Sequence, residues 1–329
     1  MPSRQTSLYR YVVLRLLQII PSIFFIMIIL FLIIHLAPGN PVYLLVGNVA
    51  FTPPQVIHQM EVQFGLTQPL YVQLLVYLEN TAEGNLGYSF YYHTSVLHLI
   101  LEKIPLTILL VGSSLIYSTS VGIVLGIISG MKPYSSRDVA ATIFSLVMFS
   151  IPFFWLGEVL IIVFSVYLHI LPSGGWITLG ASHNGASFVL DVLRHLVLPV
   201  VTLGTYNLAL TARVTRGGVI QTIHQDFIKT ARSKGLDENK ILYRHVLKNS
   251  LLPVITVMGV NLGYSITGAI LVESIFAWPG VGQLLVDSIF RLDYGVLMGV
   301  FFFSSVFVLF ANLATDVLYT FLDPRIRLT

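Results

Sequence analysis

Six long apolar segments with few charged residues are the feature that most restricts the fold of this 329-residue chain. A helix needs roughly 20 apolar residues to cross a bilayer, and a chain without strand-like alternation satisfies its backbone in lipid only as helices. The sequence therefore predicts an all-α, polytopic membrane protein with about six transmembrane helices. The predicted spans are Val12–Leu36, Leu106–Met131, Val139–Ile170, Leu196–Ala212, Leu251–Ile275 and Val296–Tyr319. The third is over-long and contains Pro152, which favours a tilt, a kink or a split.

Composition supports this class and excludes others. Hydrophobic residues make up 55% of the chain and charged residues 10%, a balance too apolar for a soluble domain of this length. The chain has no cysteine, which excludes disulfides, thiol catalysis and cysteine-ligated metals. Its nine histidines follow no metal-binding pattern, and no serine-nucleophile motif occurs. We therefore predict a chain that performs no covalent chemistry and holds no metal.

The positions of the basic residues orient the predicted spans. With a cytoplasmic amino terminus, all of the 18 Lys and Arg residues except Lys103, Arg194 and Arg291 fall on the cytoplasmic side. Such a bias is typical of the positive-inside rule. The sequence therefore predicts that both termini are cytoplasmic, together with the polar segment 213–250 between the fourth and fifth spans.

These spans divide the chain into three parts. Residues 1–37 form a cytoplasmic tail and the first transmembrane helix, residues 38–103 an extracytoplasmic loop region, and residues 104–329 a core with five transmembrane helices. The loop region is too long for a simple connector, and its Pro and Gly residues flank a helical stretch near Tyr71–Leu78. We expect it to form a small external cap.

Shorter features are predicted within the core. The outer loop 171–194 is rich in Gly, Ser and His, which is typical of a flexible turn. The outer loop 276–294 contains Trp278-Pro279-Gly280, which indicates a tight turn with an aromatic residue at interface depth. Small residues at Gly112, Gly122, Gly126 and Gly130 indicate that one span packs closely against another helix.

Segment 213–250 is the only long polar and basic stretch between spans, and its pattern predicts a helix, a turn and a second helix. Ile220, Ile223 and Phe227 follow helical spacing, Gly235 breaks the pattern, and Asp237 is a suitable cap for a second helix. The chain has no Gly-x-x-x-x-Gly-Lys motif and therefore cannot bind nucleotide phosphates by that route. A short helix linked to two membrane spans could instead transmit motion from a separate motor protein.

Two other interpretations of the hairpin follow from the same residues. A basic amphipathic hairpin can rest on anionic headgroups or merely satisfy the orientation rule. A helix-turn-helix for DNA shares the glycine turn and the basic character, but tethering between two spans argues against a nucleic-acid partner.

The hairpin carries a resemblance to a known family. Lys229–Gly235, followed by Arg244-His245 and Leu252-Pro253, resembles the EAA loop of binding-protein-dependent ABC transporter permeases, and looks most like their dipeptide, oligopeptide and nickel branch. Further matches to this branch occur in order along the chain, at Leu36–Pro41, Phe64–Leu66, Gly84–Ser89, Val272–Phe276, Trp278–Gly280 and Leu322–Arg325. The sequence departs from the general EAA pattern at two positions, where Lys229 replaces the glutamate and Thr230 the first alanine.

The resemblance implies a role for the hairpin and a set of partners. In the family this loop is a coupling helix that sits in a groove of a cytoplasmic ATPase. The residues implied to act here are Lys229, Thr230, Ala231, Arg232, Lys234 and Gly235, with Ala231 and Gly235 packing against the ATPase inside a ring of positive charge. The other implied partners are a second, homologous permease and an extracytoplasmic solute-binding protein, while ATP and magnesium bind the ATPase and no cofactor binds this chain.

The same resemblance implies a type I importer of the prokaryotic inner membrane. Its expected substrates are di- or oligopeptides, and nickel chelates or oligosaccharides are the alternatives carried by relatives. A secondary transporter is a rival from a different class, since Glu158 is a carboxylate near the middle of a span.

Polar residues inside the spans are candidates for the translocation path. The candidate residues are Glu158, Asn207, Thr211, Asn261 and Glu273. Glu158 could attract a peptide amino group, or it could be neutralised against a neighbouring helix. Glu273 could help to close an outer gate, or it could be a structural carboxylate at the interface. The amide and hydroxyl groups could contact a passing peptide backbone, although such groups more often join helices.

Overall fold

The computed structural model of the protein describes residues 8–36, 53–63, 65–89, 91–180 and 185–322. A two-stranded antiparallel hairpin pairs β1 (Tyr88–Ser89) with β2 (Thr94–Ser95). The helices are, in chain order, α1 (Leu8–Leu36), α2 (Pro54–Gln63), α3 (Leu70–Ala82), α4 (Val96–Met131), α5 (Ser136–Ser150), α6 (Phe153–Leu160), α7 (Gly185–Ile223), α8 (Asp226–Ser233), α9 (Glu238–Ile241), α10 (Leu247–Ser250), α11 (Leu252–Ile275), α12 (Val281–Phe290) and α13 (Tyr294–Leu322). Helices thus dominate the described residues, as predicted. π-Helical turns extend α6 (Ile161–Tyr167) and α9 (Leu242–Val246).

In the part of the chain that the structure describes, four helices are long and apolar enough to cross a membrane, and two bent helix pairs raise the possible number to six. The predicted count of about six is consistent with this range. The helix predicted near Tyr71–Leu78 is present as α3. The sequence underestimated α7, which has 39 residues where a span over Leu196–Ala212 was predicted. The apolar run is shorter than the helix because both ends of α7 carry polar and charged residues.

The third predicted span is divided by a bend. α5 and the α6 segment meet at 101°, with Ile151 and Pro152 between them. Ile151 has an extended backbone (φ −75°, ψ 126°), as a residue before proline prefers, and Pro152 has no N–H to continue the helical ladder. The split that Pro152 favours is therefore present at this position.

The chain divides into two compact units, one built mainly from Thr107–Trp278 and the other from Val12–Leu106 with Pro279–Phe310. In the second unit, Ser89 Oγ donates to Asp293 Oδ2 at 2.6 Å, and the Arg291 guanidinium lies 3.7 Å from the centre of the Tyr91 ring. The predicted division at residues 37 and 103 instead assigned residues 279–310 to the core that begins at residue 104. The grouping in the structure depends on contacts between residues 204 positions apart, which local sequence patterns cannot predict.

Two loop predictions need correction. The stretch 171–180 is fastened rather than flexible, since Gly175 N donates to Phe276 O at 2.8 Å and Thr178 Oγ1 to Asp191 Oδ1 at 2.7 Å, and from Gly185 onward the predicted loop is already α7. Trp278 is fully buried within the chain. The loop that follows Trp278 contains α12, whose buried apolar residues the turn signal obscured.

The glycine stripe of α4 packs against α7. A Cβ on Gly122 would lie 2.7 Å from Thr211 Cβ and 2.9 Å from Leu208 O, and one on Gly130 would lie 2.8 Å from Val219 Cβ. Distances this short leave no room for a side chain, so the glycines allow the helix backbones to approach closely. The prediction of close packing is confirmed for these positions. Gly112 is the exception, because nothing lies within 4 Å of its Cβ position.

Some predicted features lie outside the described residues. These are the cytoplasmic tail before Leu8, the motif residues Ala37–Pro41 and Phe64, and the carboxy-terminal Asp323–Arg325.

Candidate functional site

The predicted hairpin contains a short helix, α8, that is fixed to the rest of the chain by one apolar face. Ile228 and Ala231 are buried in a cluster with Val219 of α7 and with Ile241 and Val246 beyond the turn. An isolated helix of eight residues is unstable in water, since independent helices need about 12–15 residues. Burying a side chain such as that of Ile228 contributes about 1.5–3 kcal/mol. The cluster therefore holds α8 in place on the end of α7.

The turn after α8 is a Schellman motif. Gly235 N donates to Arg232 O at 2.9 Å, and Leu236 N donates to Ala231 O at 3.3 Å. These two bonds satisfy carbonyl groups at the end of the helix. Gly235 has φ +72°, a backbone conformation that residues with a Cβ rarely adopt. A Cβ built on Gly235 would have nothing within 4 Å of it. Backbone conformation, and not crowding, is what requires glycine here.

Asp237 caps the next helix, as predicted, because its side chain accepts a bond from Asn239 N at 3.0 Å. The Arg232 guanidinium spans the turn and donates to both carboxylate oxygens of Glu238, at 2.8 and 3.2 Å. The hydrogen bond to Glu238 raises the pKa of Arg232. This bidentate contact joins α8 to α9 on the exposed side of the turn.

The outward face of α8 is mostly polar, apart from the 44% exposed Phe227, and carries charge of both signs. Lys229 Nζ lies 2.9 Å from Asp226 Oδ1, and the hydrogen bond from this ammonium lowers the pKa of Asp226. Thr230 is exposed, with its Oγ1 donating to Asp226 O at 3.0 Å. Lys234 is exposed and has no ion pair with any residue that the structure describes. Of the three cations predicted on this face, Lys229 and Arg232 are thus already paired within the chain.

Ala231 requires a correction. The resemblance implied that it packs against a partner, but it is 95% buried in the chain's own cluster. The apolar positions 228 and 231 are three apart and share one helical face, which α8 turns inward. Ala231 therefore supports the helix, and the surface open to a partner consists of Lys229, Thr230, Arg232, Lys234 and Gly235.

An ion pair close to this cluster was not identified from the sequence. Arg216 of α7 donates to the buried Asp138 of α5 through Nε (2.7 Å to Oδ1) and a second guanidinium nitrogen (2.8 Å to Oδ2). Tyr134 N donates to Asp138 Oδ2 at 2.7 Å, and Ser129 Oγ also donates to this carboxylate. One carboxylate thus joins α4, the α4–α5 turn, α5 and α7. The available sequence signal was a Ser135-x-x-Asp138 helix start, whose cap the structure contains.

Four of the five path candidates are buried within this chain. Asn207 Nδ2 donates to Ser265 Oγ at 2.9 Å, which joins α7 to α11, and Ser265 Oγ donates to the backbone oxygen of Asn261 within α11 at 2.8 Å. Thr211 is buried against Gly122. Glu273 is fully buried, and Thr107 Oγ1 donates to its Oε1 at 2.7 Å. Asn207 thus joins two helices, which is the commoner role that the sequence analysis gave to the amides and hydroxyls, and the buried Glu273 joins α4 to α11.

Glu158 differs from these four residues. It is exposed on α6, and its carboxylate has no hydrogen bond or ion pair with the described residues. The structure does not bring it together with the other candidates.

Comparison with known proteins now identifies the family. Residues 122–328 match the family described as "Binding-protein-dependent transport system inner membrane component", and residues 8–111 match its N-terminal counterpart. The chain belongs to this family. It is therefore a non-catalytic, multi-pass permease subunit of the inner membrane, working in a transport system that depends on a binding protein.

Individual relatives cover almost the whole permease. It is 40% identical to the oligopeptide transport system permease protein AppB of Bacillus subtilis, over 96% of this chain and 99% of AppB. It is 36% identical to the di/tripeptide transport system permease protein DppB of Pseudomonas aeruginosa, over 96% and 98% of the two chains. The glutathione transport system permease protein GsiC of Escherichia coli is 37% identical, over 96% and 98%.

A solved structure shows the same fold. The permease is similar to a chain of the MetNI methionine ABC transporter in its inward-facing conformations, with a TM-score of 0.54 and 16% identity. The match covers 69% of this chain and 97% of the other.

Proposed function

We propose that this permease carries peptides across the inner membrane in an ATP-driven importer, and that α8 with its Gly235 turn is the coupling element. The observation that carries this proposal is the architecture of the hairpin. A short helix is anchored by one buried face to the end of a 39-residue helix, while the rest of its surface is exposed and mostly polar. A force applied to the exposed face would reach α7 through packed side chains and not through a flexible loop.

The proposed cycle is alternating access. ATP binding to partner ATPase subunits closes them and moves the hairpins of this permease and of a second, related permease together. The bundle then opens outward to receive a peptide from an extracytoplasmic binding protein, and ATP hydrolysis restores the inward-facing state. In this arrangement both termini and residues 213–250 lie in the cytoplasm, and Lys234 is the cation open to an acidic group on the ATPase.

Comparison with the relatives favours a peptide as the substrate. The reported relatives act, by their names, on oligopeptides, di- and tripeptides, and glutathione, and their identities of 36–40% extend over nearly the full chain. Nickel chelates and oligosaccharides are not favoured by these matches.

The test is transport by the complete complex in proteoliposomes. The permease is purified in mild detergent with whatever copurifies, mass spectrometry identifies the partners, and uptake of a labelled dipeptide is measured after reconstitution with the binding protein. Uptake that requires ATP and persists with an uncoupler supports the proposal. Uptake that persists without ATP and is abolished by the uncoupler would assign the chain to secondary transport, and a permease that purifies without any ATPase would also argue against coupling.

A further inference from the structure

A row of three side chains on the exposed face of α7 and the end of α5 has no role in the hairpin. The Phe149 and Tyr206 rings stack with centroids 4.9 Å apart and an interplanar angle of 23°. The Arg213 guanidinium lies 5.2 Å from the Phe149 centroid, within the range of a cation–π contact. Phe149 and Tyr206 are 36% and 44% exposed, so the row presents a ring pair and a cation to the outside of the chain.

Arg213 contrasts with its neighbour Arg216 on the same helix. Arg216 is held by both oxygens of Asp138, whereas Arg213 is exposed and has no carboxylate partner among the described residues. Arg213 is ten residues before the end of α7, which is roughly 15 Å along the helix. Arg213 directly follows the predicted span Leu196–Ala212, and a guanidinium at the cytoplasmic end of a span faces water or a bundle interior in preference to lipid. Its face is therefore suited to line a hydrated passage.

A cavity of about 220 Å³ opens beside the ring pair. Its walls come from the α5–α6 bend and from α7, and include Met148, Pro152, Phe153 and Thr205 together with the two rings. Pockets that enclose a whole small ligand measure about 300–1,000 Å³, so this cavity fits one part of a larger ligand. Its apolar and aromatic walls suit a side chain of varied shape.

We propose that this row is a peptide subsite of the permease, in which Arg213 binds the carboxy-terminal carboxylate and the Phe149–Tyr206 rings and the adjacent cavity receive the neighbouring side chain. This inference rests on the proposed function as a peptide importer. A guanidinium binds a carboxylate through two parallel hydrogen bonds, and the terminal carboxylate is common to peptides of every sequence. Recognition through that group, with an apolar cavity beside it, accepts peptides of different composition.

The test measures uptake of a labelled dipeptide and peptide-stimulated ATP hydrolysis by the complete transporter with its binding protein. Arg213→Gln should reduce uptake about tenfold or more, the effect expected for loss of a charge-assisted hydrogen bond, while stimulated ATP hydrolysis stays within about twofold. Arg213→Lys keeps the charge without the two-pronged geometry and should lie between. Arg137→Gln, which removes an exposed arginine at the start of α5, is the matched control and should transport normally.

Photo-crosslinking provides a readout that does not depend on transport rate. Tyr206→p-benzoylphenylalanine should become attached to the labelled peptide during turnover, whereas the same substitution at Tyr134, which is 91% exposed on the α4–α5 turn, should not. Uptake by Arg213→Gln equal to that of Arg137→Gln, or absence of peptide cross-linking at position 206, would overturn the subsite. A wild-type complex without ATP-dependent peptide uptake would instead overturn the proposed function.

Discussion

Gly235 is the residue whose backbone conformation most directly shapes the coupling hairpin. Gly235→Val forces a β-branched residue into the left-handed region, which costs about 1–2 kcal/mol. We expect the population of opened hairpin to rise about 5–30-fold, and uptake to fall while membrane insertion is unchanged. Hydrogen exchange over residues 226–241 measures the opening. Gly235→Asn is the control, because asparagine tolerates this conformation. Equal exchange rates in both variants would contradict the assignment of the turn.

Gly122 and Gly112 form a matched pair on α4. Gly122→Ala places a methyl group 2.7 Å from Thr211 Cβ and should lower the free energy of unfolding by about 1–3 kcal/mol, as overpacking does. Gly112→Ala meets nothing within 4 Å and should be neutral or stabilising by up to about 1 kcal/mol, since alanine favours helices. Thermal unfolding of the purified complex compares the two. A stable Gly122→Ala variant would show that α4 and α7 are less closely packed.

At the scale of elements, the Asp138–Arg216 pair joins α5 to α7 near the base of the hairpin. Either Asp138→Asn or Arg216→Met leaves one partner of a largely buried pair without its counter-charge, and each should destabilise the permease by about 3 kcal/mol. The double variant should be less destabilised than the sum, because no uncompensated charge remains. A double-mutant cycle on unfolding free energies measures this coupling. Strict additivity of the two single changes would show that the pair contributes no mutual stabilisation.

At the scale of the whole molecule, the bent α5–α6 pair decides the topology. If the pair crosses the membrane, the hairpin lies on the same side as the amino terminus, in agreement with the positive-inside bias. If the pair returned to its starting side, the basic hairpin would lie outside. We therefore expect that the pair crosses and that the hairpin is cytoplasmic.

The absence of natural cysteine allows a direct test of this topology with single-cysteine variants. Glu79→Cys on α3 should react with a membrane-impermeant maleimide in intact cells. Lys234→Cys should react only in inverted vesicles. Both side chains are exposed in this chain, and in vesicles stripped of the ATPase access to the reagent depends on the side of the membrane. Labelling of position 234 in intact cells would place the hairpin outside and contradict the coupling role.

The amino-acid sequence by itself determined the membrane class, the approximate spans, the glycine turn at 235 and the helix cap at 237, since hydropathy and turn preferences are properties of short segments. It also carried the motifs of the permease family. Only the tertiary structure decided which polar residues join helices. Asn207 meets Ser265 across 58 positions, and Asp138 meets Arg216 across 78. It also turned Ala231 inward, because the choice between the two faces of α8 depends on the cluster formed with Val219 and Val246, and no property of residues 226–233 alone specifies that partner.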